Sequence, residues 1–303
     1  MTKLLDYSRH FQRAIVVGTV RNASKNIIND LLRITDALSE IMPTSAFVVE
    51  SDSNDNTLGL LEDLSKRDSR IRVVSLGKVE PTIPDRISRL RHCRNAYVKE
   101  LRVNPIYRDC DLVIVADLDG INTTISKDEF KLALDSPLKW DVLAANQTGR
   151  YYDILALRHP FWSPNNCILE SQWLSDFVGV RTAWKHSVGD RMLRIPRDLE
   201  PISVESAFGG LCIYRRWIFE KFDYSEDIPE SSEEIDHVTL HRKAREAGAK
   251  IFIHPGLVNS KWTVHSLNGV PFIRNAKWLA HKSPFNLLLP VLRPITTFLT
   301  KRK

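Results

Sequence analysis

Short apolar runs alternate, through the first half of this chain, with stretches whose apolar residues recur at helical spacing. Ala14-Ile15-Val16-Val17-Gly18-Thr19-Val20, Ala46-Phe47-Val48-Val49, Ile71-Arg72-Val73-Val74 and Leu112-Val113-Ile114-Val115-Ala116 are the strand-like runs. Runs this apolar suit strands covered by helices on both faces. Between them, Ile27, Ile28, Leu31, Leu38 and Ile41 follow a plausible N-cap at Asn22. Leu58, Leu60, Leu61 and Leu64 predict a second helix, and residues 85–101 a third. Strands alternating with helices require right-handed crossovers and an open, largely parallel sheet. Ligands of such sheets sit beyond the carboxyl ends of the strands, and the acidic clusters Glu50 to Asp55 and Asp117 to Asp119 both fall at that edge.

The second half is less regular. Trp140 to Ala145 and Val204 to Tyr214 read as strands, the latter containing Gly209-Gly210, and Lys250 to Ile253 as a last one after a helix over Ile235 to Ala247. Residues 146–200 are rich in aromatics and prolines and too long for a connector, which suggests an irregular substrate wall. No repeat or low-complexity linker divides the chain. It reads as one domain over 1–275 and a tail over 276–303.

With 43% hydrophobic and 26% charged residues the chain is neither disordered nor fibrous. Cys93, Cys110, Cys167 and Cys212 form no CxxC pair, which removes zinc-ribbon and thioredoxin-type chemistry. No run approaches the ~20 apolar residues of a membrane span, and Met1 to Arg13 lacks a signal-peptide core. A reduced, cytoplasmic setting is the expectation. The net charge of +6 is compatible with nucleic acid, anionic lipid or a phosphorylated substrate. Nucleic acid lacks support, for want of zinc-finger spacing, an RNP-like strand or a basic-region helix. A first strand that turns at Gly18 without GxGxxG disfavours a dinucleotide site.

Asp117-Leu118-Asp119-Gly120 closes the fourth strand signal. Alternate residues of an extended segment point the same way, so both carboxylates can converge on one object. Side by side they repel unless a cation or proton lies between them. Mg²⁺ or Mn²⁺ carried by a diphosphate suits them; the simpler reading is a turn cap before Gly120. Phosphatases of the haloacid dehalogenase class use DxDG with the first Asp as nucleophile, whereas GT-A glycosyltransferases use DxD to hold the metal of a nucleotide-sugar. The phosphatase motif continues with Thr on the first strand of its domain. Here Ile121 follows and three strand signals precede, which favours the transferase.

The run Glu50-Ser51-Asp52-Ser53-Asn54-Asp55-Asn56-Thr57 resembles the acidic loop of family-2-type GT-A transferases, with Glu50 and Ser51 in place of two leading acids and Asp52 in place of a glycine. Arg94-Asn95 resembles the RN that precedes their DxD strand. From about residue 14 to 265 the order of motifs also resembles fungal capsule-associated mannosyltransferases and bacterial surface-polysaccharide relatives, including a YD…R segment matched by Tyr152-Asp153 and Arg158. The resemblance implies a GT-A fold: α/β, Rossmann-like, a largely parallel sheet flanked by helices, with an irregular acceptor-side region. It implies a metal-dependent transferase moving a sugar from a UDP- or GDP-type donor to a surface glycan or glycolipid precursor. A catalytically silent sugar-binding protein is the alternative outside catalysis.

The resemblance also assigns roles. Asp119 would ligate the metal, and Asp117 would meet ribose or water of the metal's shell; His265 would complete the set, with His254 a weaker competitor. Glu50 or Asp52 would accept hydrogen bonds from ribose or base. Asp236, in Asp236-His237 after Glu233 and Glu234, would be the base that deprotonates the acceptor; acids there also complement a helix dipole. Tyr151, Tyr152 and Trp162 either stack on sugar or fill core, and Asp153 and Arg158 carry no assigned role.

At ~100° per residue, Ile87, Leu90, Cys93, Tyr97 and Leu101 define an apolar helix face that contains Arg94. A buried guanidinium needs an anion, here Asp52, Asp117 or the donor phosphates. Arg91 lies at the margin, and Arg89 reads as a solvated charge. From Trp278 onward apolar residues mix with Lys282, Arg293, Lys301, Arg302 and Lys303, while Pro284, Pro290 and Pro294 forbid one helix. This suits either an anionic membrane surface, making the protein peripheral, or packing against the domain.

Overall fold

The computed structural model describes residues 11–225 and 234–261. The first four strand signals become β1 (Ala14–Val20), β2 (Thr44–Glu50), β3 (Ile71–Ser75) and β4 (Leu112–Ala116), parallel to one another. They are joined through α1 (Ile27–Ser39), α2 (Thr57–Arg67) and α3 (Arg86–Val103). Alternation along β1 sends Ile15 and Val17 into the core beneath α3, where Cys93, Tyr97 and Leu101 are buried. It sends Ala14 and Val16 into the opposite core, where Ile27, Leu31, Ile34 and Leu38 of α1 pack. Both faces are covered, which is why these strands read as continuous apolar runs.

The second half adds α4 (Lys127–Leu134), β5 (Val142–Gln147), α5 (Cys167–Val178), α6 (Val180–Ser187), β6 (Ile202–Ser203), β7 (Leu211–Arg215), α7 (Trp217–Lys221), α8 (Asp236–Glu246) and β8 (Ile251–Ser260). The sheet order is β3-β2-β1-β4-β7-β5-β8-β6. β7 lies antiparallel between β4 and β5, and β6 pairs antiparallel with β8. The carboxyl ends of β1, β2, β4 and β5 therefore share one edge with the start of β7. No helix among the described residues is long and apolar enough to cross a membrane. All four cysteines are buried and free. Residues 276–303, expected to form a tail, lie outside the described residues.

Several local expectations are corrected. Asn22 does not cap α1: it takes a left-handed φ of 53° and its side chain accepts from the Asn54 N–H, while α1 starts after Asn26. Gly18 is no turn but the interior of β1, where an added Cβ would meet the Ala116 carbonyl oxygen at 2.6 Å. The strand read over 204–214 begins only at Leu211, because Gly209 and Gly210 turn the chain with φ of 68° and 82°. β8 runs well past Ile253. It passes through Pro255-Gly256, where the register shifts against β5 and the Asn146 side chain donates to the Pro255 carbonyl at 2.9 Å. The stretch 146–200 is less irregular than expected, since it folds α5 and α6 into a helical hairpin.

Candidate active site

A cleft of about 450 Å³ opens beyond the carboxyl ends of β1, β2 and β4, a size that suits a small-molecule site. Asp117 and Asp119 line it together with Arg86, Arg89 and Arg94 of α3, residues Tyr152 to Ala156 in part, Phe208, and Asp236 and His237 at the start of α8. Two sides of the protein hold the acidic turn. The Asp117 N–H donates to the Gly210 carbonyl at 3.0 Å and its own carbonyl accepts from Asn122 at 2.6 Å. From α1, Asn26 donates to the Asp119 carbonyl at 2.8 Å and Asp30 accepts from the Gly120 N–H at 2.6 Å. Main-chain groups are thereby spent on the scaffold, and the two carboxylates are left facing the cleft.

Asp117 keeps 38% of its side-chain surface, and the Arg94 guanidinium stands 3.8 Å away. Removal from bulk water, then the neighbouring Asp119 charge, pushes the Asp117 carboxyl up, against the pull of Arg94. Paired oxygen ligands that crowd one another in this way fit a hard divalent cation. Among the described residues no group of three or more His, Cys, Asp or Glu converges to hold a metal, so oxygens from a ligand and water would fill the remaining positions. His265 lies outside the described residues. His254 is not among the lining residues; burial pulls its imidazole down to about 4.

Arg94 is buried as predicted, and Asp117 is one of its anions as expected, but the closest is Asp236. The guanidinium also lies 5.8 Å from the Phe208 ring centroid and 5.6 Å from that of Tyr224, so the pair is walled by aromatics. The other Asp236 oxygen accepts from the His237 N–H at 2.9 Å. Neighbouring groups fix this corner. Asn95 accepts from the Tyr224 N–H at 2.9 Å and donates to Ser225 at 3.0 Å. Arg158, also buried, donates to Glu234 at 3.0 Å, and Arg91 donates to the Glu234 carbonyl at 2.7 Å. Arg158 thus positions the start of α8, and Asp153 of the same motif accepts from the Gly209 N–H at 2.9 Å. Glu233 lies outside the described residues.

The 50–57 loop is mostly self-fastening. Glu50 accepts from the Ser53 N–H at 3.0 Å and from the Ser75 hydroxyl at 2.5 Å, and it does not line the cleft. Asp52 does line it. Its left-handed φ of 58° is a costly conformation, and its carboxylate accepts from the Val79 and Glu80 N–H groups at 2.8 and 2.9 Å. Burial raises that carboxyl, but the Glu80 and Val79 amides outweigh it and leave it below the usual range. Arg89 is not the solvated charge expected: its side chain is 12% exposed and donates to the Ile83 carbonyl at 2.9 Å. Tyr151 is core, 5.6 Å from Trp162 between ring centroids, whereas Tyr152 lines the cleft.

No protein-family model matches the chain, and no curated protein sequence does. Solved structures do. The chain is similar to a mannosyltransferase from Pyrobaculum calidifontis solved with GDP-Man and Mn²⁺, at 13% identity and a TM-score of 0.50, over 96% of this chain and 71% of that one. It is also similar to GalNAc-T7 solved with UDP, GalNAc and Mn²⁺, at 13% identity and a TM-score of 0.50, over 88% of this chain but 48% of that one. The fold is GT-A.

On this GT-A sheet one lining group escaped the sequence reading in its role. His237 stacks on Phe208 with centroids 3.8 Å apart, and its buried Nε2 has no hydrogen-bond partner among the described residues. Burial, then the Arg94 charge, holds the imidazole well below its ordinary value, so it is neutral. The Asp236-His237 dipeptide was the available signal, but sequence alone could not say which side chain Arg94 would occupy. Asn26, Asp30 and Asn122, which brace the acidic turn, carried no signal at all.

Proposed function

We propose that this protein is a metal-dependent glycosyltransferase that moves a sugar from a UDP- or GDP-type nucleotide-diphospho-sugar to a surface glycan or glycolipid precursor. The observation that carries the reading is the Asp117–Asp119 pair, facing a cleft lined by Arg86, Arg89 and the Arg94–Asp236 pair. The bound GDP-Man and Mn²⁺ of one structural neighbour, and the UDP and Mn²⁺ of another, support it.

Asp119, the more exposed carboxylate, would hold Mn²⁺ or Mg²⁺ together with Asp117. The cation, when bound, offsets the negative charge that grows on the leaving diphosphate as the bond from sugar C1 to phosphate oxygen breaks. Arg86 and Arg89 add positive charge on the same side. Asp52 would accept hydrogen bonds from the nucleoside; Glu50, engaged by Ser53 and Ser75, would act through the loop's shape instead. Asp236 would take the proton of the attacking hydroxyl, and Arg94 would fix its orientation. A second reading gives that proton to His237, because its Nε2 is unpartnered and its ring neutral.

The decisive measurement is thermal stability with UDP or GDP, with and without Mn²⁺. A nucleotide shift that requires Mn²⁺, together with release of sugar from a cognate donor, supports the reading. No shift with any nucleoside diphosphate would sink it.

A further inference from the structure

Two imidazoles lie one turn apart near the start of α8, both inside the fold, with ring centroids 6.1 Å apart. Histidines at this step are a familiar way to hold a metal, yet His241 spends both nitrogens on the protein. Its Nδ1 meets the Ser206 hydroxyl at 2.9 Å, and its Nε2 meets the Tyr214 hydroxyl of β7 at 2.8 Å. The same Tyr214 oxygen lies 3.5 Å from Nδ1 of His237. A hydrogen-bonded chain therefore runs from Ser206 through His241 and Tyr214 to His237. The remaining nitrogen of His237, Nε2, is buried without a partner among the described residues. His237 lines the cleft; Ser206, Tyr214 and His241 do not.

Burial keeps both imidazoles neutral, with His241 pulled down to about 3 and His237 well below its ordinary value, and pushes the Tyr214 phenol up. Each of the four groups then has one hydrogen to give and can also accept. Three contacts joining four such groups allow two continuous orders. In one, His237 Nδ1–H donates to Tyr214, Tyr214 to His241 and His241 to Ser206, and the Ser206 O–H is left over. In the other, Ser206 donates to His241, whose Nε2–H donates to Tyr214, whose hydroxyl donates to His237. The hydrogen left over is then on His237 Nε2. Each order strands one buried donor, so its position decides. Ser206 is 1% exposed, and among the described residues only His241 meets its hydroxyl. At His237 the stranded hydrogen borders the cleft, where a bound molecule can accept it. Buried donors without acceptors are costly, which selects the second order. The Cys212 thiol beside Tyr214 leaves the count unchanged, since it donates to the Ala207 carbonyl at 3.4 Å.

We propose that Ser206, His241 and Tyr214 are positioning residues that hold His237 as its Nε2–H tautomer, so that the imidazole donates a hydrogen bond to a sugar hydroxyl in the cleft. The choice of a sugar rests on the transferase reading; the tautomer does not. A neutral donor stacked on Phe208 suits an uncharged hydroxyl, while phosphates have Arg86 and Arg89 to meet. Asp236 keeps the role of base, because an Nε2 that already carries hydrogen has no lone pair for the proton of the attacking hydroxyl. The test is ¹⁵N–¹H correlation of the nine histidines in ¹⁵N-histidine-labelled protein, with His237 and His241 assigned through His237→Gln and His241→Gln. Both should show a protonated Nε2 and a bare Nδ1. A protonated Nδ1 on His237 would overturn the proposal. Tyr214→Phe, which removes only the hydroxyl, should leave His237 a mixture of tautomers; an unchanged His237 would mean that the chain does not set it, and would overturn the proposal too. With Mg²⁺ present, the wild-type Nε2–H signal should move with UDP-glucose or GDP-mannose and not with UDP or GDP, which assigns the hydroxyl to the donor. Movement with methyl hexosides alone would assign it to the acceptor, and movement with neither overturns the sugar contact. In Tyr214→Phe the same movement should need roughly fivefold more ligand. If no nucleoside diphosphate binds at all, the transferase reading fails, while the tautomers, measured without ligand, still decide the chain.

Discussion

Two carboxylates divide the proposed chemistry of the cleft. Among the described residues no hydrogen bond or ion pair engages the Asp119 side chain, so Asp119→Ala should abolish the Mn²⁺-dependent nucleotide shift and lower transfer by roughly 100-fold or more; a retained shift would refute its role. Asp236 is the harder residue, because it serves Arg94 as well as the proposed reaction. Asp236→Asn should destroy transfer, keep nucleoside diphosphate binding, and cost about 3 kcal/mol of stability by stripping a buried guanidinium of its partner. His237→Gln is the companion measurement: a loss of turnover larger than that of Asp236→Asn would move the base to the imidazole. Asp117 and Asp119 were legible in the sequence because they follow directly on the apolar run that becomes β4. Arg94's burial was legible from its helix face. Its partner was not, since Asp236 is 142 residues away and only the sheet order brings them together.

At the scale of elements, α1 does more than cover the sheet. Burial pushes the Asp30 carboxyl up to about 6, against the Gly120 N–H that favours its charged form. The ordinary value is ~4, so the fold holds this proton more tightly than the unfolded chain does. The associated stability is full below about pH 4 and is lost as pH rises through about 6. Metal-free wild type should therefore melt lower near neutrality than at mild acid, and Asp30→Asn, which keeps an oxygen for Gly120, should flatten that decline. An unchanged slope in the variant would discount the group. The turn into β7 is equally constrained. Gly209→Ala combines a φ of 68° with a Cβ pressed on the Ala145 carbonyl, and should cost at least about 2 kcal/mol by denaturant unfolding. Glycines inside an apolar run were read as strand because composition shows hydrophobicity but not the sign of φ. Likewise α5 and α6 went unread because the residues they bury, Cys167, Ser171, Ala183 and Ser187, are small and mark no apolar core face in the sequence.

For the whole molecule, alternation in the first half specified a parallel sheet, and β1 to β4 follow it closely. The second half departs from it because β7 comes late and enters backwards. β4, which ends at the acidic turn, pairs on one side with β1 and on the other with β7, and β5 also depends on β7 for a neighbour. A chain emerging from the ribosome must hold both strands with open edges until residue 215 has been made. The two halves of the sheet would then be joined only once β7 is made, and the cleft would wait for α8 as well. A fragment ending at residue 205 should accumulate as insoluble material despite containing Asp117 and Asp119, and a soluble, cooperatively melting fragment would contradict this order. Synthesis would thus set the acidic pair in its native turn only after most of the fold exists, since the Gly210 carbonyl that holds the Asp117 N–H is made long after Asp117 itself.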